Sequence, residues 1–146
     1  MVVHDGGVAV VPLLGNTVLL IRQFRIVVGR ALLELPAGRR EGEEDPAHRA
    51  ALELEEEIGY RPGGLTLLSE YYSSAGFTNE RMHIYLGVDL TPVPRRPEPD
   101  EEIEIVPVPL SEVRRMLDAG EFEDAKTIIG LRELLARPAF WSGDGA

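Results

Sequence analysis

The 146 residues carry 15 Lys and Arg against 25 Asp and Glu, a formal charge of −10, with 44% apolar residues and no cysteine. That composition supports a real core and excludes intrinsic disorder, a disulfide scaffold, thiol catalysis and thiolate metal sites, which leaves carboxylates, imidazoles and backbone oxygens as metal ligands. The acidic excess opposes non-specific nucleic-acid binding, which needs basic residues at phosphates, and no apolar run reaches the roughly 18–20 residues of a membrane span.

The start, Met1 to Asp5, lacks the basic, apolar and small-residue sections of a signal peptide, so a cytoplasmic protein is expected. Val8 to Leu13 and Val18 to Phe24 read as antiparallel strands joined by a tight turn at Gly15-Asn16. Leu32 to Leu35 is a short strand stopped by Pro36, and residues 37–44 read as a polar loop. The period then changes: Asp45 is placed to cap a helix with Pro46 in its first turn, an apolar stripe of Ala47, Ala50, Ala51, Leu54 and Ile58, and Gly59 as its stop. Leu65 to Tyr72 and Arg81 to Leu90 read as strands flanking a loop over 73–79. Thr91 to Glu102, with four prolines, reads as an irregular excursion before a strand from Ile103 to Val108. Ser111 is expected to cap a short helix ending at Asp118, and Asp124 a longer one from Ala125 to Ala136, with residues 138–146 as a frayed tail. The chain, 1–146, is expected to form one domain, an α/β fold with helices packed on a mixed sheet.

Within the first helix Glu53, Glu56 and Glu57 stand at i, i+3 and i+4, so one side of the helix holds three carboxylates, away from the apolar stripe. An acidic helix face is usually only a solvated face. This one lies in the final turns, where the macrodipole already disfavours anions by about 0.3–1 kcal/mol each. Glu53 has Arg49 and Glu57 has Arg61 four positions away, but Glu56 has Leu52 and Tyr60, so the patch needs compensation from outside the helix. A divalent cation supplies it, and Mg²⁺ held by a few carboxylates, waters and substrate phosphate oxygens is the usual arrangement in phosphate chemistry. Further oxygens are available in the preceding loop, from Glu41, Glu43, Glu44 or a carbonyl such as that of Ala37. His4, His48 and His83 are scattered and read as structural, and Ser73 and Ser74 have no paired base.

Gly38, five residues, Glu44, seven residues and Leu52-Glu53-Leu54-Glu55-Glu56-Glu57-Ile58-Gly59-Tyr60 resembles the Nudix box G-x5-E-x7-R-E-U-x-E-E-x-G-U, in which U is apolar. Glu34 to Gly38, Ser74 to Glu80 and Asp124 to Thr127 extend the likeness to the ADP-ribose pyrophosphatase branch, over about residues 4–137. The resemblance implies an α/β/α sandwich and a metal-dependent hydrolase of a nucleoside diphosphate linked to another moiety, first of all ADP-ribose, with a nucleotide sugar or dinucleoside polyphosphate as the alternative. It implies Mg²⁺, with Mn²⁺ as the other candidate, held by the carbonyl of Ala37 and by Glu53, Glu56, Glu57 and a loop acid, for which Glu101 is the choice. Glu98, Glu102 and the box glutamates are the further candidates for general base. Arg25 would contact the diphosphate, and Gly38, Phe77 and Glu80 would complete the substrate contacts. A homodimer is compatible with the branch, although the N-terminal extension that usually builds it is expected to be missing here. Two departures, Leu52 in place of the box arginine that orients the glutamates and Pro99 where a second loop glutamate often stands, motivate a rival reading as a nucleotide-binding protein with impaired turnover.

Overall fold

The computed structural model describes residues 5–141. The opening hairpin forms as the alternation predicts: β1 (Gly7–Leu14) and β2 (Thr17–Arg25) turn at Gly15, whose φ of 62° is one that a glycine adopts without strain. The two strands pair only next to the turn, at Leu13 with Val18 and Leu14 with Thr17. Beyond that they part. β1 runs parallel to β6 (Arg81–Pro92), which pairs antiparallel with β5 (Tyr60–Tyr72), while β2 lies between β3 (Arg30–Glu34) and β7 (Ile103–Pro109). The gap on β1 is filled by β4 (Ala37–Arg39), which pairs with residues 7–9.

Three helices cover this mixed sheet from both sides. Val8, Val10, Leu19 and Ile21 point to α1 (Pro46–Ile58), packing on its Ala50, Leu54 and Ile58. Ala9, Val11, Val18 and Leu20 point the other way, onto Val113 and Leu117 of α2 (Leu110–Asp118) and Leu131 and Leu134 of α3 (Ala125–Leu135). Strand alternation thus assigns successive residues to two cores, the expected α/β/α sandwich. Among the described residues no helix is long and apolar enough to cross a membrane.

The local signals of α1 are realised in full: Asp45 accepts from the amide of Ala47, Pro46 occupies the first turn, and Gly59 ends the helix with φ 73°. Asp124 likewise accepts from the amide of Thr127 at the start of α3. Four expectations are corrected. Residues 37–39 are a strand rather than loop, because their partner is β1, some 30 residues earlier. β5 begins at Tyr60 rather than Leu65, since Pro62 and Gly64 still pair with Leu90 and Val88, on either side of Asp89 at φ 53°. Ser111 does not cap α2, which starts at Leu110 behind Pro109 without a side-chain cap. The tail is not frayed from 138: Pro138–Phe140 form a 3₁₀ turn, and the Trp141 indole donates to the Leu134 carbonyl at 2.9 Å. Residues 142–146, and His4, lie outside the described part.

Gly130 tests the packing of α3. A methyl group there would meet Leu35 Cδ1 at 2.7 Å, Val11 Cγ2 at 3.1 Å and Ile84 Cγ2 at 3.2 Å, all on fully buried side chains. Overpacking costs about 1–3 kcal/mol, against a helix-propensity gain of up to about 1 kcal/mol. Gly130→Ala is therefore expected to lower stability by about 1–2 kcal/mol, read as a lower urea midpoint at unchanged slope. A stabilised variant would show that the helix sits less tightly on the sheet than the distances say.

Candidate active site

Where β1 and β2 part, their open ends, the amino end of α3 and the 93–102 excursion enclose a cavity of about 410 Å³. That is a normal size for a small-molecule site. Gly38, Glu57 and Glu101 line it together with Arg25 and Lys126, so carboxylates and cations share one cavity.

The carboxylate side is built by α1. Glu57 is 4% exposed and lies among Ala50, Leu54 and Ile58, which corrects the expectation that all three glutamates stand clear of the apolar stripe. Its Oε1 accepts from the amide of Ala37 at 3.2 Å, and among the described residues it has no ion pair. Arg61, expected to compensate it, bonds Glu55 instead, at 3.2 Å. Burial, and then the neighbouring charge of Glu53, push Glu57 up to about 8. Burial and the charge of Glu56 push Glu53 up to about 7, against the opposing pull of Arg49. Glu53 lies behind Gly38, with its side chain in the space a Cβ at residue 38 would take.

The helix end finds its compensation in the excursion. Arg95 donates from Nε to the Glu57 carbonyl at 2.5 Å and from Nη2 to the Ile103 carbonyl at 2.6 Å, while the amide of Arg96 reaches the Glu56 carbonyl at 3.1 Å. A cation thus meets the negative end of the macrodipole and satisfies carbonyls that the helix leaves free. The same bonds hold the excursion against α1 and bring Glu101 to the cavity, close enough that its charge raises both Glu53 and Glu57. Of the three candidate loop acids, Glu101 alone lines the cavity. Glu98 is exposed and its amide donates to Glu101 Oε1 at 3.1 Å, and Glu102 is exposed and does not line the cavity.

The cation side depends on a buried acid that sequence reasoning left without a role. Glu34, 1% exposed at the end of β3, accepts from Arg25 Nε at 2.7 Å and Nη2 at 2.8 Å and from Lys126 Nζ at 2.8 Å. Burial raises its carboxyl, but the bonds from Arg25 and the charge of Lys126 outweigh that and hold it below its ordinary value. Lys126 also donates to Asp124 at 2.9 Å. Both cations are thereby fixed at the cavity wall with other N–H groups to spare. A charge within the apolar run Leu32 to Leu35 was the signal for Glu34. Glu80 lines the cavity and accepts from Ser73 Oγ at 2.5 Å, whereas Phe77 is exposed and does not line it.

The donors suit a hard divalent cation, being carboxylate oxygens of which one, on Glu57, is buried with a single neutral partner. Among the described residues no three acidic or histidine side chains converge as a finished ion cage. Mg²⁺ needs none, since it retains waters and takes one or two carboxylates together with substrate phosphates.

Comparison with known proteins agrees with this geometry. A family model described as the NUDIX domain matches residues 3–130. An ADP-ribose pyrophosphatase of Bacillus subtilis (strain 168) is 34% identical over 142 residues, which cover 95% of this chain and 77% of the relative. A GDP-mannose pyrophosphatase of Citrobacter koseri is 33% identical over 155 residues, covering 90% of this chain and 75% of the relative. A solved structure described as an ADP compounds hydrolase superposes with a TM-score of 0.85 over 97% of this chain and 75% of its own, at 22% identity, a likeness of fold. The complete glutamate spacing on α1, and a family match that spans most of the chain, make this protein a member of the Nudix hydrolase family.

Proposed function

We propose that the protein hydrolyses the diphosphate bond of a nucleoside diphosphate linked to a second moiety, and that ADP-ribose, split to AMP and ribose 5-phosphate, is the substrate to test first. The observation that carries the reading is that one cavity is lined both by the carboxylates of Glu57 and Glu101 and by the cations of Arg25 and Lys126. A diphosphate bound there meets two fixed cations, which a chain of charge −10 must provide locally if it is to hold an anion at all. Glu53, Glu56, Glu57 and Glu101 are the residues that would hold Mg²⁺ or Mn²⁺, with the Ala37 carbonyl as a further oxygen. When bound, the ion offsets phosphate charge and makes water a better nucleophile.

The chain's own groups do the rest. Arg25 and Lys126 orient the phosphates, and Glu34 holds both from behind. Glu101, the loop acid that lines the cavity, would accept the proton of the attacking water as that oxygen bonds to phosphorus and the bridging P–O bond breaks. Substrate choice among ADP-ribose, GDP-mannose and dinucleoside polyphosphates rests on the relatives' names, which favour ADP-ribose first and keep GDP-mannose as the second reading.

The test is chromatography of products from the purified chain with each substrate in Mg²⁺ and in Mn²⁺. Glu56→Gln is expected to lower kcat by at least about 100-fold, a loss typical for a group engaged only in the transition state. It should leave the melting temperature unchanged or slightly higher, because it removes an anion from the negative end of a helix. Turnover retained in Glu56→Gln removes the residue from the proposed machinery, and wild-type protein that hydrolyses none of the panel removes the function.

A further inference from the structure

The chain lacks the arginine that the Nudix box places before its first paired glutamate, and Leu52 stands there. The structure nonetheless puts a guanidinium beside that glutamate. Arg49, one helical turn earlier, donates from Nη1 to Glu53 Oε1 at 3.4 Å and grips Glu44 with both arms, Nε to Oε1 and Nη2 to Oε2, each at 2.9 Å. All three side chains are less than one-fifth exposed. We infer that Arg49 is a positioning residue that replaces the missing box arginine, with Glu44 as its anchor and Glu53 as the group it orients.

The geometry supports the assignment at each link. Residues 49 and 53 are i and i+4, so they lie on one helix face, and position 52 lies one turn from 49 on nearly the same side. Glu44 is itself immobilised: its Oε1 also accepts from the amide of Glu41 at 3.3 Å, its own amide donates to the Glu41 carbonyl at 3.2 Å, and its carbonyl accepts from Arg40 at 3.3 Å. A bidentate bond to a fixed carboxylate leaves a guanidinium little freedom. Its third contact is therefore a defined one, and it falls on Glu53 Oε1, an atom that a Cβ at residue 38 would also meet. Glu53 thus touches both the arginine and a bare stretch of backbone. A surface ion pair contributing only to helix stability would need neither the fork on Glu44 nor the partial burial of all three groups.

The inference rests on the proposed hydrolase reading, and its test separates the two. Wild type, Arg49→Gln, Arg49→Lys and the double variant Arg49→Gln/Leu52→Arg are compared in ADP-ribose hydrolysis and in Mn²⁺ binding followed by electron paramagnetic resonance. Loss of an orienting group behind a metal ligand typically costs 10–100-fold in activity or metal affinity. Arg49→Gln is expected to lower kcat about 10–100-fold with KM within threefold, and to weaken Mn²⁺ binding about 10-fold. Leu52→Arg added to it should recover at least about 10-fold of kcat. Arg49→Lys, which keeps the charge but loses the fork, should lie between wild type and Arg49→Gln, and it carries the test if Arg49→Gln fails to fold. Wild-type kcat and Mn²⁺ affinity in either single variant overturn the inference, as does a double variant no better than Arg49→Gln. A wild type without turnover sinks the hydrolase reading alone, and the Mn²⁺ titrations then decide on Arg49.

Discussion

Gly38→Ala is expected to abolish more than 99% of turnover while leaving the fold intact. A Cβ at residue 38 would fall inside the van der Waals radii of Cγ, Cδ and Oε1 of Glu53, so one of the two must move. The backbone is the harder to shift: Ala37, Gly38 and Arg39 are in register with Ala9, Val8 and Gly7, and the preceding carbonyl of Pro36 accepts from the amide of Val10 at 3.0 Å. Glu53 is held by one 3.4 Å bond to Arg49, so its side chain rotates instead. Displacing a catalytic group by about 1 Å can cost 100-fold in rate, while the packing strain costs about 1–3 kcal/mol of stability. Gly76→Ala is the control, since Gly76 has open space around it and no positive φ. Calorimetric melting with kcat on both variants reads the result. A Gly38→Ala enzyme with wild-type kcat would mean that the position of Glu53 in this structure is irrelevant to the chemistry.

The features of this site that sequence disclosed are those written within a few residues. Asp45, Pro46 and Gly59 bound α1 because caps and stops act on the nearest turn, and the glutamate spacing then follows from helical periodicity alone. The pair Arg49 and Glu53 was visible for the same reason. The grip of Arg49 on Glu44 was not, because it depends on how residues 40–45 fold back on the helix start. β4 is not legible as a strand because three residues with a glycine carry no alternation of their own, and what makes them a strand is the edge that β1 offers where it leaves β2. Burial of Glu57 escapes the helical wheel because the stripe is wider than its apolar letters, and the amide of Ala37 reaches it from a different segment. The cation wall was the least legible. Arg25 and Lys126 are about 100 residues apart, and only the buried carboxylate of Glu34 brings them together.

The metal-free protein is expected to lose stability as pH rises from 6 to 9, contrary to the usual behaviour of carboxylates in ion pairs. Burial raises Glu53 to about 7 and Glu57 to about 8, against an ordinary glutamate value of 4.5 in the unfolded chain. Between pH 4.5 and 8 the folded protein therefore holds more protons on these groups than the unfolded protein does, and stability falls with pH across that window. The contribution is fully present below pH 4.5 and is lost as pH passes 7 and then 8. Each tenfold difference in proton affinity between the folded and unfolded chain is worth about 1.4 kcal/mol, so from pH 6 upward, where Glu53 gives up about one such difference and Glu57 about two, the fold weakens by roughly 4 kcal/mol, or about 10 °C in Tm for a chain of this length. Glu57→Gln keeps an oxygen for the Ala37 amide but cannot ionise, so it should remove more than half of the slope. Millimolar Mg²⁺, binding the ionised carboxylates of the folded state, should flatten the profile of the wild type and have a weaker effect on the variant. Calorimetric scans from pH 5 to 9 in chelator and in Mg²⁺ provide all four curves. A metal-free Tm that is flat or rises above pH 6, or a wild-type slope that Mg²⁺ leaves unchanged, would mean that these carboxylates are not buried groups whose charge a cation must offset.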